Sequence, residues 1–190
     1  MSQSKLVLAS ESPRRRELLA LLGFEFSVVP SRAEETPEEG ETPTDFVRRA
    51  ARDKGIEVAK RVSESVVLSA DTIVVIDDEI LGKPIDERDA IRMLERLSGR
   101  QHSVFTSVVV TNSGTGASLD GLEQTKVWFS VLTRETIEHY VRCEDVTDKA
   151  GSYAIQGSAG VFIPKIEGNY HNVVGLPLPL TYKLLCQTLL

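Results

Sequence analysis

The stretch that most restricts what this chain can become is its first, where an apolar strand empties directly into a capped helix. Lys5-Leu-Val-Leu-Ala9 is a short apolar run of strand type. Ser12 suits the N-cap of a helix, and Pro13 its first position, where no amide donor is needed. Leu18, Leu19, Leu21 and Leu22 then predict one apolar helical stripe, and Gly23 a stop. The intervening turn carries Ser10 and Ser12, with Arg14 and Arg15 in the first helical turn. Cations at that end oppose the helix dipole, so local helix stability does not account for them. A bound anion does: amide N–H groups, two hydroxyls and two guanidinium forks make a phosphate cradle. The alternative is a solvated basic turn.

A chain of 190 residues fits one large domain, or one domain with two lobes. The net charge of −6 argues against a nucleic acid polymer or an anionic membrane as partner, although basic residues cluster locally. Cys143 and Cys186 form no metal or redox spacing, so a reducing, cytoplasmic setting is expected. No apolar run reaches the roughly 18 residues of a membrane span, and no secretory h-region opens the chain.

Further along, Phe24 to Val29 reads as a strand that ends in an acidic loop, Pro30 to Glu41. Glu38 and Glu39 fit a solvated loop. Glu34 and Glu35 leave the strand end, where α/β enzymes place ligand-contacting groups. Thr42-Pro-Thr-Asp45 opens a second helix, whose stripe is Phe46, Val47, Ala50, Ala51, Val58 and Ala59. Spacing by four puts Lys54 on that stripe, either snorkelling at its edge or reaching into a cleft. Val66 to Ile76 is an apolar strand interrupted by Asp71, whose buried charge requires a partner, a metal or backbone hydrogen bonds. Gly82-Lys83-Pro84 lacks the glycine and hydroxyl residue of a Walker loop, yet holds a lysine in a rigid turn. A helix is expected over Asp86–Leu97, strands over His102–Thr111 and Glu123–Leu132, and a short helix over Thr133–Arg142. His102 is expected at a strand edge. Val161–Ile166 and Tyr170–Val174 read as a hairpin, followed by a C-terminal helix over about Leu180–Leu190.

Five blocks stand out in order: Leu8-Ala-Ser-Glu-Ser-Pro-Arg-Arg15, Ala70-Asp-Thr-Ile-Val74, Gly82-Lys-Pro84, Asp148-Lys-Ala-Gly151 with Ile155-Gln-Gly157, and Asn172-Val-Val-Gly-Leu-Pro177. Together they resemble the Maf family of nucleoside triphosphate pyrophosphatases, from about residue 5 to the C-terminus. The resemblance implies a single Maf-like domain over 1–190, of class α/β. Its two lobes would carry an elongated mixed sheet flanked by helices around one central cleft, a fold related to the inosine triphosphate pyrophosphatases. It also implies a homodimer and a reaction dependent on a divalent metal, Mg²⁺ or Mn²⁺, that converts NTP and water to NMP and pyrophosphate.

Carried over by the resemblance, Asp71 matches the general base, while Lys54 and Lys83 join Ser10, Arg14 and Arg15 in holding phosphate. Glu34 or Glu35, with Asp71, matches the metal-binding acids. Arg14, Thr72 and Gln156 fall at the positions that separate the family's branches. The 7-methylguanosine branch is expected to have Trp, Gln and Glu there, so this chain resembles the dTTP/UTP branch. A glutamine amide donates to a pyrimidine carbonyl and accepts from its N3–H, whereas a cationic base favours an aromatic face and a carboxylate. Glu11 and Ser158-Ala159-Gly160 depart from the family's pattern. Two other readings are a phosphatase releasing orthophosphate and a non-catalytic nucleotide-binding regulator of cell division.

Overall fold

The computed structural model describes residues 5–189; Leu190, assigned above to the last helix, lies outside them. In chain order the elements are β1 (Lys5–Leu8), α1 (Pro13–Ala20), β2 (Phe26–Val28), α2 (Pro43–Ala59), β3 (Ser65–Ile76), β4 (Glu79–Leu81) and α3 (Glu87–Leu97). They continue with β5 (Gln101–Asn112), β6 (Ser118–Trp128), α4 (Arg134–Cys143), β7 (Lys165–Glu167), α5 (Tyr170–Val174) and α6 (Leu178–Leu189). The strands form one seven-stranded sheet in the order β2-β1-β3-β5-β6-β7, with β4 paired to β3. β1 runs parallel to β2 and β3, whereas the β3–β4 and β6–β7 pairs are antiparallel. The class is therefore α/β with a mixed sheet, as expected. Among the described residues no helix is long and apolar enough to cross a membrane.

The chain divides into two compact units. The first holds the described residues up to Asp71, then Thr106–Glu123 and the residues from Gly175. Leu6, Val7 and Leu8 of β1 pair with Val66, Val67 and Leu68 of β3, and all six are buried, as continuous apolar runs in a parallel pair require. In α1, Ser12 Oγ accepts from the Arg15 amide and Pro13 takes the first position. The predicted four-leucine stripe is shorter than expected: Leu18 and Leu19 are buried, but Leu21 is 70% exposed. Its amide is shared between the carbonyls of Glu17 and Leu18, so the last turn tightens and swings Leu21 off the stripe.

Helix α2 is capped by Thr42, whose Oγ1 accepts from the Asp45 amide at 3.2 Å. It packs tightly onto β3. Ser69 Oγ donates to the Ala51 carbonyl at 2.7 Å, and a Cβ placed on Gly55 would lie only 2.7 Å from that hydroxyl. Gly55 is thus a glycine because the helix and the strand leave no room for a methyl group.

The second unit holds Thr72–Phe105 and Gln124–Val174. Asp77 and Asp78 take positive φ in the two-residue turn joining β3 to β4, a conformation aspartate tolerates. The core of the unit includes Val74, Leu94, Leu97, Val104, Val127, Phe129, Ile137 and Phe162. Two expectations fail here. β6 ends at Trp128, so Phe129 remains buried while Val131 is 86% exposed. The hairpin over Val161–Ile166 and Tyr170–Val174 does not form. Lys165–Glu167 pairs with β6 instead, and Asn169 Oδ1 accepts from the Asn172 amide at 3.1 Å, starting a short helix at the point where a return strand was predicted.

His102 is also not an edge residue. It is 2% exposed, its Nε2 lies 2.8 Å from Tyr153 Oη, and its ring meets Phe129 edge-on. Burial pushes its pKa down to about 4 from 6.5. Between those values the unfolded chain binds the proton and the folded chain does not, so stability falls as pH drops through this window. The loss at pH 4.5 relative to neutral is about 2–3 kcal/mol. Urea unfolding of the wild type and of His102→Gln, which has no imidazole to titrate, should differ in pH slope by that amount between pH 7 and 4.5.

Candidate active site

The first unit gathers a charged cluster from three sequence-distant segments. Asp71 is the last residue of this unit on β3 and is 5% exposed, surrounded by strand residues that are almost all buried. Its Oδ1 accepts from Lys54 Nζ at 2.7 Å. Lys54 does not snorkel. It is 6% exposed, and its ammonium also reaches Glu35 Oε1 at 2.9 Å. The close seating of α2 on β3 at Gly55 and Ser69 explains why a lysine stem has no route outward at this position.

The turn after β1 supplies the rest. Ser10 is buried and its Oγ accepts from the Ser12 amide and, at 3.4 Å, from Arg15 Nη1. Arg15 Nε donates to the Gly175 carbonyl at 2.9 Å, which fixes the plane of the guanidinium. Burial lowers the Arg15 pKa, Asp71 and Glu35 act to raise it, and neighbouring Arg14 lowers it again. Arg15 therefore shares one electrostatic environment with both carboxylates. As ionised groups, Arg14, Arg15 and Lys54 exceed Asp71 and Glu35 by one positive charge, a setting that favours an anionic ligand.

Of the predicted residues, the structure thus brings Ser10, Arg15, Lys54, Asp71 and Glu35 together, with Arg14 beside Arg15. Glu34 is exposed, and the acid that meets Lys54 is Glu35. Thr72, Lys83 and Gln156 belong to the second unit. Thr72 is half-buried on β3. Lys83 is exposed, and the carbonyl of preceding Gly82 accepts from the Gly151 amide at 3.0 Å, where Gly151 has φ 67°. Gln156 is exposed in a loop held by Ser158 Oγ donating to Glu144 Oε1 at 2.6 Å. The Gly175 carbonyl escaped sequence reasoning because a backbone acceptor leaves no mark in residue type.

An α/β sheet with a buried acid–lysine pair beside a serine–arginine turn presents a net positive setting suited to an anionic ligand. The family model described as Maf-like protein matches residues 5–188, and the chain belongs to that family. A dTTP/UTP pyrophosphatase of Vibrio cholerae is 51% identical over 186 residues, spanning 97% of this chain and 98% of its own. A dTTP/UTP pyrophosphatase of Geobacter sulfurreducens is 49% identical over 178 residues, spanning 94% of this chain and 93% of its own. Among solved structures, a nucleoside-triphosphatase / dITP/XTP pyrophosphatase of Mycobacterium abscessus aligns with TM-score 0.44 and 16% identity over 67% of this chain and 75% of that one.

Proposed function

We propose that this chain is a nucleoside triphosphate pyrophosphatase that hydrolyses dTTP and UTP to the monophosphate and pyrophosphate. The observation that carries the reading is Lys54 held between Asp71 and Glu35, in the same electrostatic environment as Arg15. The relatives that share about half of its residues bear the same activity in their names.

In this reading Asp71 is the general base. Lys54 holds its Oδ1, and its other oxygen takes the proton of a water as that water attacks the α-phosphorus. The bond from the α-phosphorus to the α–β bridging oxygen breaks, and pyrophosphate leaves with the electron pair. Ser10, Arg14 and Arg15 grip phosphate oxygens, with Lys83 as a further phosphate contact, and neutralise the charge that develops on them. Arg14, Thr72 and Gln156 select the base.

Asp71 and Glu35 fit a divalent metal's protein share, because Mg²⁺ takes one or two carboxylates and completes its shell with phosphate oxygens and water. No group of three or more His, Cys, Asp or Glu able to hold a metal occurs among the described residues. When bound there, Mg²⁺ or Mn²⁺ supplies charge neutralisation and orientation of the triphosphate. The homodimer and the single two-lobed domain implied by the family resemblance belong to the same proposal.

The test is a nucleotide panel with Mg²⁺ or Mn²⁺, its products resolved by ion exchange. dTTP and UTP should yield monophosphate and pyrophosphate, and 7-methyl-GTP should be turned over at least about tenfold less well, as expected from losing paired hydrogen bonds to the base. Orthophosphate as the first product from dTTP would overturn the proposal.

A further inference from the structure

Glu35 is 43% exposed on a loop, yet its carboxylate is delivered to a buried ammonium. A loop carboxylate does not hold such a position unaided, because loops are where chains open most readily. The segment 30–41 is fastened at both ends to the outer stripe of α2 and the turn that follows it. At its start, Glu57 Oε2 accepts from the Arg32 amide at 3.0 Å, and Arg61 donates to the Pro30 carbonyl. At its end, Arg49 forms a fork on Glu41, with Nε to Oε1 and Nη2 to Oε2 both at 2.7 Å. The same Nη2 donates to the Thr36 carbonyl at 2.9 Å, one residue beyond Glu35. Glu41 Oε2 in turn accepts from the Glu38 amide at 3.0 Å, so the fork closes a turn as well as tying it down.

We propose that Arg49 is a positioning residue for the reaction, acting through Glu35 by clasping segment 30–41 against α2. The inference rests on the preceding reading of Glu35 as an active-site acid. Helix α2 then serves both sides of one contact: Lys54 on its inner stripe meets Glu35, and Arg49 on its outer stripe holds the loop that brings Glu35 in. The carboxylates facing Arg49 are Glu38, Glu41 and Asp53, and its guanidinium lies over the Phe46 ring. Arg49 holds the Glu41 carboxyl down at a pKa of about 2. A lysine has one charged centre where this site uses a planar fork, and it reproduces neither the paired contact nor the carbonyl bond.

The experiment combines hydrogen exchange with a double-mutant cycle. In Arg49→Ala, amides of residues 33–41 should exchange about tenfold faster or more, as loss of a paired charged contact implies, while β3 amides keep their protection. Turnover of dTTP should fall about tenfold, the scale of a misplaced site group. Arg49→Lys should follow Arg49→Ala in both readouts and guards against a variant that fails to fold. In a Glu35→Gln background, Arg49→Ala should cost less than about twofold more, because its route to the reaction is already removed. An equal loss in both backgrounds overturns the proposal, as does unchanged exchange in the segment. If Asp71→Asn is inactive while Arg49→Ala is fully active, the positioning role alone fails. If Asp71→Asn retains turnover, the reaction assignment fails instead, and Arg49 has no such reaction to serve.

Discussion

Replacing Asp71 by Asn should lower dTTP and UTP turnover by roughly 10²–10⁴-fold, the range associated with loss of a general base. The substitution is nearly isosteric, and the amide oxygen still accepts from Lys54 Nζ, so the contact at 2.7 Å has a replacement. What disappears is the basic carboxylate oxygen that the proposed reaction requires. Binding of a dTTP analogue with a methylene between the α- and β-phosphorus should persist within a few fold, since Ser10, Arg14, Arg15 and Lys54 remain. Pyrophosphate release and titration calorimetry on the same preparation separate these two quantities. Turnover within tenfold of wild type would remove Asp71 from the role of base. A wild-type protein that binds the analogue and turns over no nucleotide would instead leave a nucleotide-binding regulator as the reading.

The second large effect is on stability. Lys54→Met keeps the length and apolar stem of the side chain and deletes its charge, leaving Asp71 buried with its partner gone. Both side chains of the pair are less than 10% exposed, so breaking it should destabilise the protein by about 3–5 kcal/mol at pH 7. Glu35 contributes less to this loss because its carboxylate is 43% exposed and partly solvated. Urea unfolding of wild type and variant at pH 7 measures the loss; a difference below about 1 kcal/mol would show that the pair carries little of the stability.

Much of the site was legible because burial and charge conflict openly in the sequence. An aspartate within Val66–Ile76 and a lysine on the apolar stripe of 46–59 are each costly alone, and the structure resolves both costs by joining them. The Ser10–Arg15 turn was legible for a related reason: its cations stand at the wrong end of a helix for its dipole. The exceptions have physical causes as well. His102 looked like an edge residue because a strand terminus gives no hint of what covers it; Phe129 and Tyr153 do. Tyr170–Val174 looked like a strand because alternation over so few residues does not distinguish a strand from a short helix started by Asn169.

The sequence alone therefore determined which residues carry unbalanced charge and where α1, α2, α3 and α4 begin, since caps, periodicity and dipole conflicts act within a few residues; the mixed α/β class came with the family resemblance. Only the tertiary structure decided that Glu35 rather than Glu34 meets Lys54, that a Gly175 carbonyl orients Arg15, and that Arg49 fastens the acidic segment. Those choices depend on distances between segments far apart in the chain. They are set by how closely α2 can seat on β3 and by which loop carboxylate the clamped backbone leaves within reach of the ammonium.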